Sequence, residues 1–307
     1  MNGKKPPVPV PLLMLIGIVA ISFSSIFIKW SSAPASVQGM YRLLFTSLLM
    51  LPFARPYSGA AFSLRRKDWL LLGFSGMMLA LHFLLWMGSL KFTSVASSTM
   101  IMALEPVFIM IGCYVLYKEK STLSAIAGLG IAIFGTVFIG WGDIGLSPDN
   151  VKGDLLSIGG TAAVAVHMMV GQRLVSRMPS YLYSLIVFIS ASIVFAVYNV
   201  LAGIPFFDYP PKEWGIFVLL AVVPTVFGHI LFNWLMQYVS ATTVSMNILG
   251  EPVGASILAF LLLGEKLNGL QWTGGLLVMA GLAVYLYAGR KKTLGIEDSL
   301  PRSIVSS

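Results

Sequence analysis

The chain has little charge. Only 10% of its 307 residues are Asp, Glu, Lys or Arg, while 57% are apolar. A soluble domain carries about 25% charged residues, so an ordinary wetted surface is excluded. Cysteine is scarcer still. Cys113 stands alone inside an apolar run, and no disulfide, thiolate zinc cluster or cysteine-paired chemistry can be built from it. There is no Gly-x-x-x-x-Gly-Lys-Ser/Thr loop to cradle ATP, no nucleophile elbow and no His-Glu-x-x-His. An enzyme is therefore not expected, nor a cofactor or metal. The net charge of +8 is not organised as a basic helix with interleaved aromatics, so nucleic acid is no partner.

What is present is hydrophobic length. Ten apolar stretches run roughly over 11–29, 35–53, 69–90, 94–117, 122–141, 153–175, 181–203, 213–237, 241–263 and 269–288. Each is about long enough to cross a ~30 Å hydrocarbon core at ~1.5 Å per residue. Backbone groups in lipid must be satisfied within the segment, and barrel-type alternation is not seen, so the stretches are expected to be helices. Lys4 and Lys5 precede Leu12–Ile28 as in a signal peptide, but that stretch is long enough to span and is read as a retained helix. With the N-terminus in the cytoplasm, Lys4, Lys5, Arg55, Arg65, Arg66, Lys67, Lys118, Lys120, Arg173, Arg177, Arg290, Lys291, Lys292 and Arg302 fall inside. Only Lys29, Lys91, Lys152, Lys212 and Lys266 fall outside. The positive-inside bias thus places both termini in the cytoplasm of a cell with this protein in its cytoplasmic membrane. Trp30, Trp69, Trp141, Trp214 and Trp272 sit at span ends, as interfacial anchors do.

The chain also repeats itself. At a shift of 146 residues, Glu105-Pro106-Val107 meets Glu251-Pro252-Val253, Met100 meets Met246, Ile111 meets Ile257, Glu119-Lys120 meets Glu265-Lys266, Gly128 meets Gly274 and Gly135 meets Gly281. Five spans is an odd number, so the second copy enters the membrane from the opposite side. Inverted repeats of this kind build alternating-access transporters, with substrate held near the midplane between the halves.

The segments Gly88-Ser89-Leu90-Lys91-Phe92-Thr93-Ser94, Ala103-Leu104-Glu105-Pro106 and Tyr117-Lys118-Glu119-Lys120 resemble an EamA-type member of the drug/metabolite transporter superfamily. So do their later partners Leu235-Met236-Gln237-Tyr238-Val239-Ser240-Ala241, Gly250-Glu251-Pro252 and Leu263-Gly264-Glu265-Lys266. The resemblance implies an all-α membrane protein of ten helices in two inverted five-helix repeats around a central cavity, here 11–141 and 153–288 with a cytoplasmic tail over 289–307. It implies export of a small metabolite, often an amino acid. Tyr117-Lys118-Glu119 departs from the pattern, where Leu-Gly-Glu is usual.

Several residues are candidates for substrate contact. Pro106 and Pro252 each remove an amide and should kink their helices, freeing carbonyls near Met102 and Ile248. Glu105 and Glu251 beside them either cap those carbonyls or face the cavity and bind protons or a substrate amine. Intramembrane histidines face the bundle or water, which brings in His82, His167 and His229. Trp86 shares a helical face with His82. Asn233 shares one with His229, and Trp234 stands beside it. Asn247, four residues before Glu251, is read as lying on the same face. Arg42 is read first as snorkelling outward, the alternative being that it pairs with a carboxyl or attracts an anionic group. Gly128, Ala132 and Gly135, with Gly274 and Gly281, are read as close-packing stripes.

The first reading is a transporter exporting an amino acid or a related amphipathic solute. Its partners are that small-molecule solute, membrane lipid and, if transport is coupled, protons; a homodimer is compatible with the sequence. The alternatives are a multidrug efflux carrier, a non-transporting membrane subunit and an intramembrane enzyme. The charge distribution makes one direct prediction. A label on Lys292 reacts only from the cytoplasmic side in intact cells, and labelling from outside would reverse the topology.

Overall fold

The structure, a computed structural model, describes residues 6–93, 95–118, 122–141, 147–264 and 269–299. The described residues are helical, with no strand among them. Twelve helices carry the fold: α1 (Val10–Trp30), α2 (Ala35–Met50), α3 (Arg66–Ser89), α4 (Val95–Met102), α5 (Glu105–Tyr117), α6 (Leu123–Trp141), α7 (Pro148–Val175), α8 (Ser180–Leu201), α9 (Pro211–Leu235), α10 (Ala241–Ile248), α11 (Glu251–Leu263) and α12 (Gly269–Ser299). They follow the apolar stretches of the sequence, with α3 and α7 starting before theirs, α12 continuing past its own to Ser299, and the stretches 94–117 and 241–263 each divided between two helices. Six segments are long and apolar enough to cross a membrane outright, and a seventh is added if the pair Ala35–Phe53 and Arg55–Phe62, bent by 79°, is one span. The chain is thus a multi-pass helical membrane protein. Its outer face is apolar, with Leu15, Val19, Leu48, Ile193 and Leu276 exposed where lipid would cover them.

Local chemistry sets the helix ends. Proline occupies the first turn of α1, α7 and α9, where its missing amide costs nothing. Ser147 and Ser240 cap α7 and α10 by accepting the amides of Asn150 and Thr243. The two Glu-Pro sites behave as proline at depth predicts. Helix α4 stops at Met102 and α10 at Ile248, two residues turn, and new helices start at Glu105 and Glu251.

The bounds repeat at the same 146-residue offset: α4 with α10, α5 with α11, and the starts of α6 and α12. The packing repeats too. Helix α3 packs on α7 and α8, while α9 packs on α1 and α2; α5 packs on α7, while α11 packs on α1; α4 meets α11, while α10 meets α5. Helices α6 and α12 meet along the small-residue stripes. A Cβ at Gly128 would lie 2.8 Å from the Gly281 carbonyl oxygen, and one at Gly135 would lie 2.6 Å from that of Gly274. Rising numbers on one helix meet falling numbers on the other, so the pair is antiparallel. Any side chain there would push the backbones apart, which is why these positions are glycine.

The end of α3 is tied by hydroxyls. Ser89, Ser98 and Ser157, all fully buried, form a triangle with edges of 2.8–2.9 Å between α3, α4 and α7. The residues 146 positions after Ser89 and Ser98 are Leu235 and Val244, equally buried and purely apolar.

One position breaks the repeat at a cost. Helices α5 and α11 both end on a left-handed residue, Lys118 at φ 57° and Gly264 at φ 71°. Glycine adopts that conformation freely, whereas a residue with a Cβ is strained by roughly 1 kcal/mol. Lys118→Gly should therefore stabilise the protein by about 1 kcal/mol, read as a higher melting temperature in detergent. A fall would mean that the lysine side chain holds that end.

Candidate functional site

A polar concavity lies where α1, α2, α3, α5, α7, α9 and α11 converge, with Met102 and Ile248 closing it from the ends of α4 and α10. It encloses about 50 Å³, enough for a few waters at roughly 10–15 Å³ of such space each. Its polar lining is Ser24, Arg42, His82, Trp86, Glu105, His167, His229, Asn233 and Glu251, set among Ile21, Phe83, Val164, Met168 and Phe232.

Seven of the nine sequence candidates are thereby brought together: His82, Trp86, Glu105, His167, His229, Asn233 and Glu251. On α3, His82 and Trp86 stack with centroids 5.9 Å apart and planes 3° from parallel. His82 Nδ1 lies 2.9 Å from the Gly160 carbonyl and donates to it. His167 is held in the wall, its Nδ1 contacting Ser75 Oγ at 2.9 Å with Tyr183 alongside. Asn233 Nδ2 donates to Ser184 Oγ at 3.1 Å.

His229 sits in a π-helical stretch of α9, Ala221–Ile230, that contains Pro224. Proline supplies no amide, and the widened turn accommodates the gap. Thr225 Oγ1 donates five residues back, to the Leu220 carbonyl, at 2.7 Å. The His229 ring then meets the Phe83 edge at 5.3 Å.

Two candidates are placed elsewhere. Trp234 packs edge-on against Tyr238 at 4.9 Å, outside the cavity lining. Asn247 turns back on its own helix, with Nδ2 donating to the Thr243 carbonyl at 2.7 Å. The break between Ile248 and Glu251 separates it from Glu251, so the shared face expected from a continuous helix does not exist.

Arg42 corrects the expectation of an outward-pointing side chain. It is 1% exposed and enters the cavity wall from α2. Nε donates to Thr225 Oγ1 at 2.6 Å, Nη1 donates to Ser24 Oγ at 3.0 Å, and Cζ lies 4.3 Å from the Phe83 centroid. All three neighbours are neutral. Trp214 also differs from a plain interfacial anchor, since it is part-buried and packs edge-on against Tyr41 at 4.8 Å. The Trp141 side chain lies outside the described residues.

The two glutamates meet at the helix breaks. A second, smaller void of about 10 Å³ is lined by Thr99, Met102, Ala103, Glu105 and Pro106 and by Ser245, Ile248, Leu249, Glu251 and Pro252. Each residue of the first set has its 146-shifted partner in the second. The two Glu-Pro turns therefore face each other across the centre of the bundle. Glu105 is 2% exposed and its Oε1 has no hydrogen-bond partner among the described residues; Trp86, 3% exposed, has none for Nε1. Buried orphans of this kind are rare and call for an explanation. Among the described residues, no group of three His, Cys, Asp or Glu side chains is arranged to hold a metal ion.

A polytopic helical bundle enclosing a polar, two-sided cavity is the form of a membrane transporter. The chain belongs to the EamA-like transporter family, which it matches twice, over residues 9–141 and 151–287. An uncharacterized transporter of Archaeoglobus fulgidus is 26% identical over 213 residues, 66% of this chain and 71% of the relative. A second from that organism is 23% identical over 91% of this chain and 97% of its own length. Bacillus subtilis YdfC, also an uncharacterized transporter, is 22% identical over 92% of both. A solved structure titled only as the crystal structure of a protein superposes with a TM-score of 0.75 at 17% identity, over 91% of this chain and 97% of that one. The protein is a transporter rather than an enzyme, and its cargo is a small molecule.

The Arg42 setting can be tested on stability alone. A buried guanidinium whose hydrogen-bond partners are all neutral is not repaid for its desolvation. Arg42→Met is expected to melt at or above the wild-type temperature. A large drop would make the arginine a structural strut.

Proposed function

We propose that the protein works by alternating access. Two inverted five-helix units, 11–141 and 153–288, rock about the cavity and move a small organic solute outward across the cytoplasmic membrane. An amino acid or a related amphipathic metabolite suits the mixed lining of charged, aromatic and aliphatic side chains. Ten spans put both termini, with the 289–307 tail, in the cytoplasm. Three observations support the inverted arrangement: helix bounds that recur at 146 residues, contacts that recur when the units are exchanged, and the antiparallel α6–α12 seam. A two-fold axis that exchanges antiparallel partners runs across them, hence along the membrane plane.

The observation that carries the reading is the pair of orphaned atoms. Trp86 Nε1 offers a donor and Glu105 Oε1 an acceptor, both deeply buried on residues that line the cavity and both without a protein partner among the described residues. Gln38 Oε1 and Asn199 Oδ1 are also unpaired but lie off the cavity, so it is the placement of the Trp86 and Glu105 atoms that supports the reading. A solute, or the water it replaces, completes them. His82, His229, Asn233 and Glu251 are the remaining contacts of the proposed site, and His167 supports its wall.

Glu105 and Glu251 are also the groups best placed to carry a proton with the solute. Solute flux into liposomes tests the proposal, and flux measured across a pH series tests the coupling. Glutamine mimics the protonated carboxyl, so Glu105→Gln or Glu251→Gln should flatten the pH dependence of flux. An unchanged profile in both variants rejects coupling through these carboxyls.

A further inference from the structure

Resting on that transport reading, one feature of the cavity says more about the cargo. Arg42 is fully buried, yet its described hydrogen bonds go only to Ser24 and Thr225, two neutral hydroxyls. A guanidinium has five N–H donors, and these two hydrogen bonds use two of them. A buried cation without a carboxylate is costly at membrane depth. Glu251 lines the same cavity and interacts with Arg42 electrostatically, but no described carboxylate forms an ion pair with it. Arg42 thus lines the cavity with donors in excess of its two hydroxyl partners.

We propose that Arg42 reads an anionic group on the solute: the guanidinium takes a carboxylate, or a group of the same charge and shape, in direct contact, and this group replaces Glu251 as the nearest counter-charge, which until then acts only across the cavity. Arginine suits this task because its fork matches a carboxylate at two points. The Phe83 face beneath it shields the pair and keeps the guanidinium flat.

Charge balance in the cavity then sets a proton stoichiometry. The groups facing Glu251 are Arg42 from α2, Glu105 from α5, and His82, His167 and His229 from α3, α7 and α9. With one cation and two carboxyls, the cavity is neutral when one carboxyl is ionised. Docking an anion adds one negative charge, and neutrality returns when the displaced Glu251 carboxylate takes one proton from hydronium or a buffer acid, which becomes water or the conjugate base. No other bond is made or broken. Solute anion and proton thus enter together.

The probes are 3-phenylpropionate, phenylalanine and phenylalaninamide, which share a ring and differ in charge. Binding is read by thermal shift and tryptophan fluorescence on the purified full-length protein. Both acids are expected to bind about ten-fold or more tightly than the amide, the loss expected when a charged hydrogen bond goes unmade. Arg42→Met should erase that preference. Arg42→Lys, which keeps the charge and loses the fork, should reduce it and covers the case that Arg42→Met does not fold. In weakly buffered solution the wild type should take up about one proton per acid bound, by linkage, and Glu251→Gln none. Equal or tighter binding of the amide, no saturable shift with either acid, or an acid preference retained in Arg42→Met overturns the assignment. Proton uptake unchanged in Glu251→Gln overturns the displacement step. Flux of any probe into liposomes keeps the carrier reading alive when Arg42 fails these tests, so the two ideas fall separately.

Discussion

Everything in this fold answers to the cost of leaving a polar group unpaired in hydrocarbon. A freed carbonyl or a carboxyl at membrane depth costs several kcal/mol unless protein or water meets it. The chain contains two such offences by design, at Glu105-Pro106 and Glu251-Pro252. Each breaks its helix, and each break must be turned away from lipid. The solution is to face the two breaks toward each other, as the small central void lined by matching residues from both shows. Once they are paired, the neighbouring helices are obliged to wrap around them, and the polar cavity beside them becomes the natural place for the rest of the buried polarity.

That polarity is not spread evenly. The histidines on α3 and α7 are committed through Nδ1 to neighbours in the wall, whereas Glu105 Oε1 and Trp86 Nε1 have no partner among the described residues. Arg42 lies between these conditions, positioned by two hydroxyls and an aromatic face yet short of a counter-charge. Gln38 Oε1 and Asn199 Oδ1, away from the cavity, also lack a partner among the described residues, but only Trp86 and Glu105 bring theirs to the cavity lining. That division between scaffold and ligand-directed groups is what a binding site requires.

Much of this is readable from the sequence. Repetition at 146 residues is a one-dimensional signal, and so is a proline inside an apolar run, so the breaks at Met102 and Ile248 and the glycine seam of α6 and α12 are legible there. Stacking of His82 with Trp86 follows from helical spacing within one unbroken helix. Asn247 shows where that logic ends. Its spacing from Glu251 implies a common face, but the break falls between them and the register is lost. Arg42 shows a second limit. Its partners Ser24, Thr225 and Phe83 come from three other helices, distant in sequence, and nothing local to α2 announces them. The π-helical widening around Pro224 is equally silent, because proline signals a disturbance without specifying its form.

The serine triangle has a consequence of its own. Prising α3, α4 and α7 apart would break hydroxyl contacts worth roughly 1 kcal/mol each in a bundle. At the matching positions of the other unit, Leu235 and Val244 stand in place of Ser89 and Ser98 and offer no hydroxyl to tie the helices. Two corners related by backbone symmetry are thus unequal in adhesion. A machine whose frame is even-handed can still favour one posture at rest, and here that preference would be written in hydroxyl groups rather than in topology.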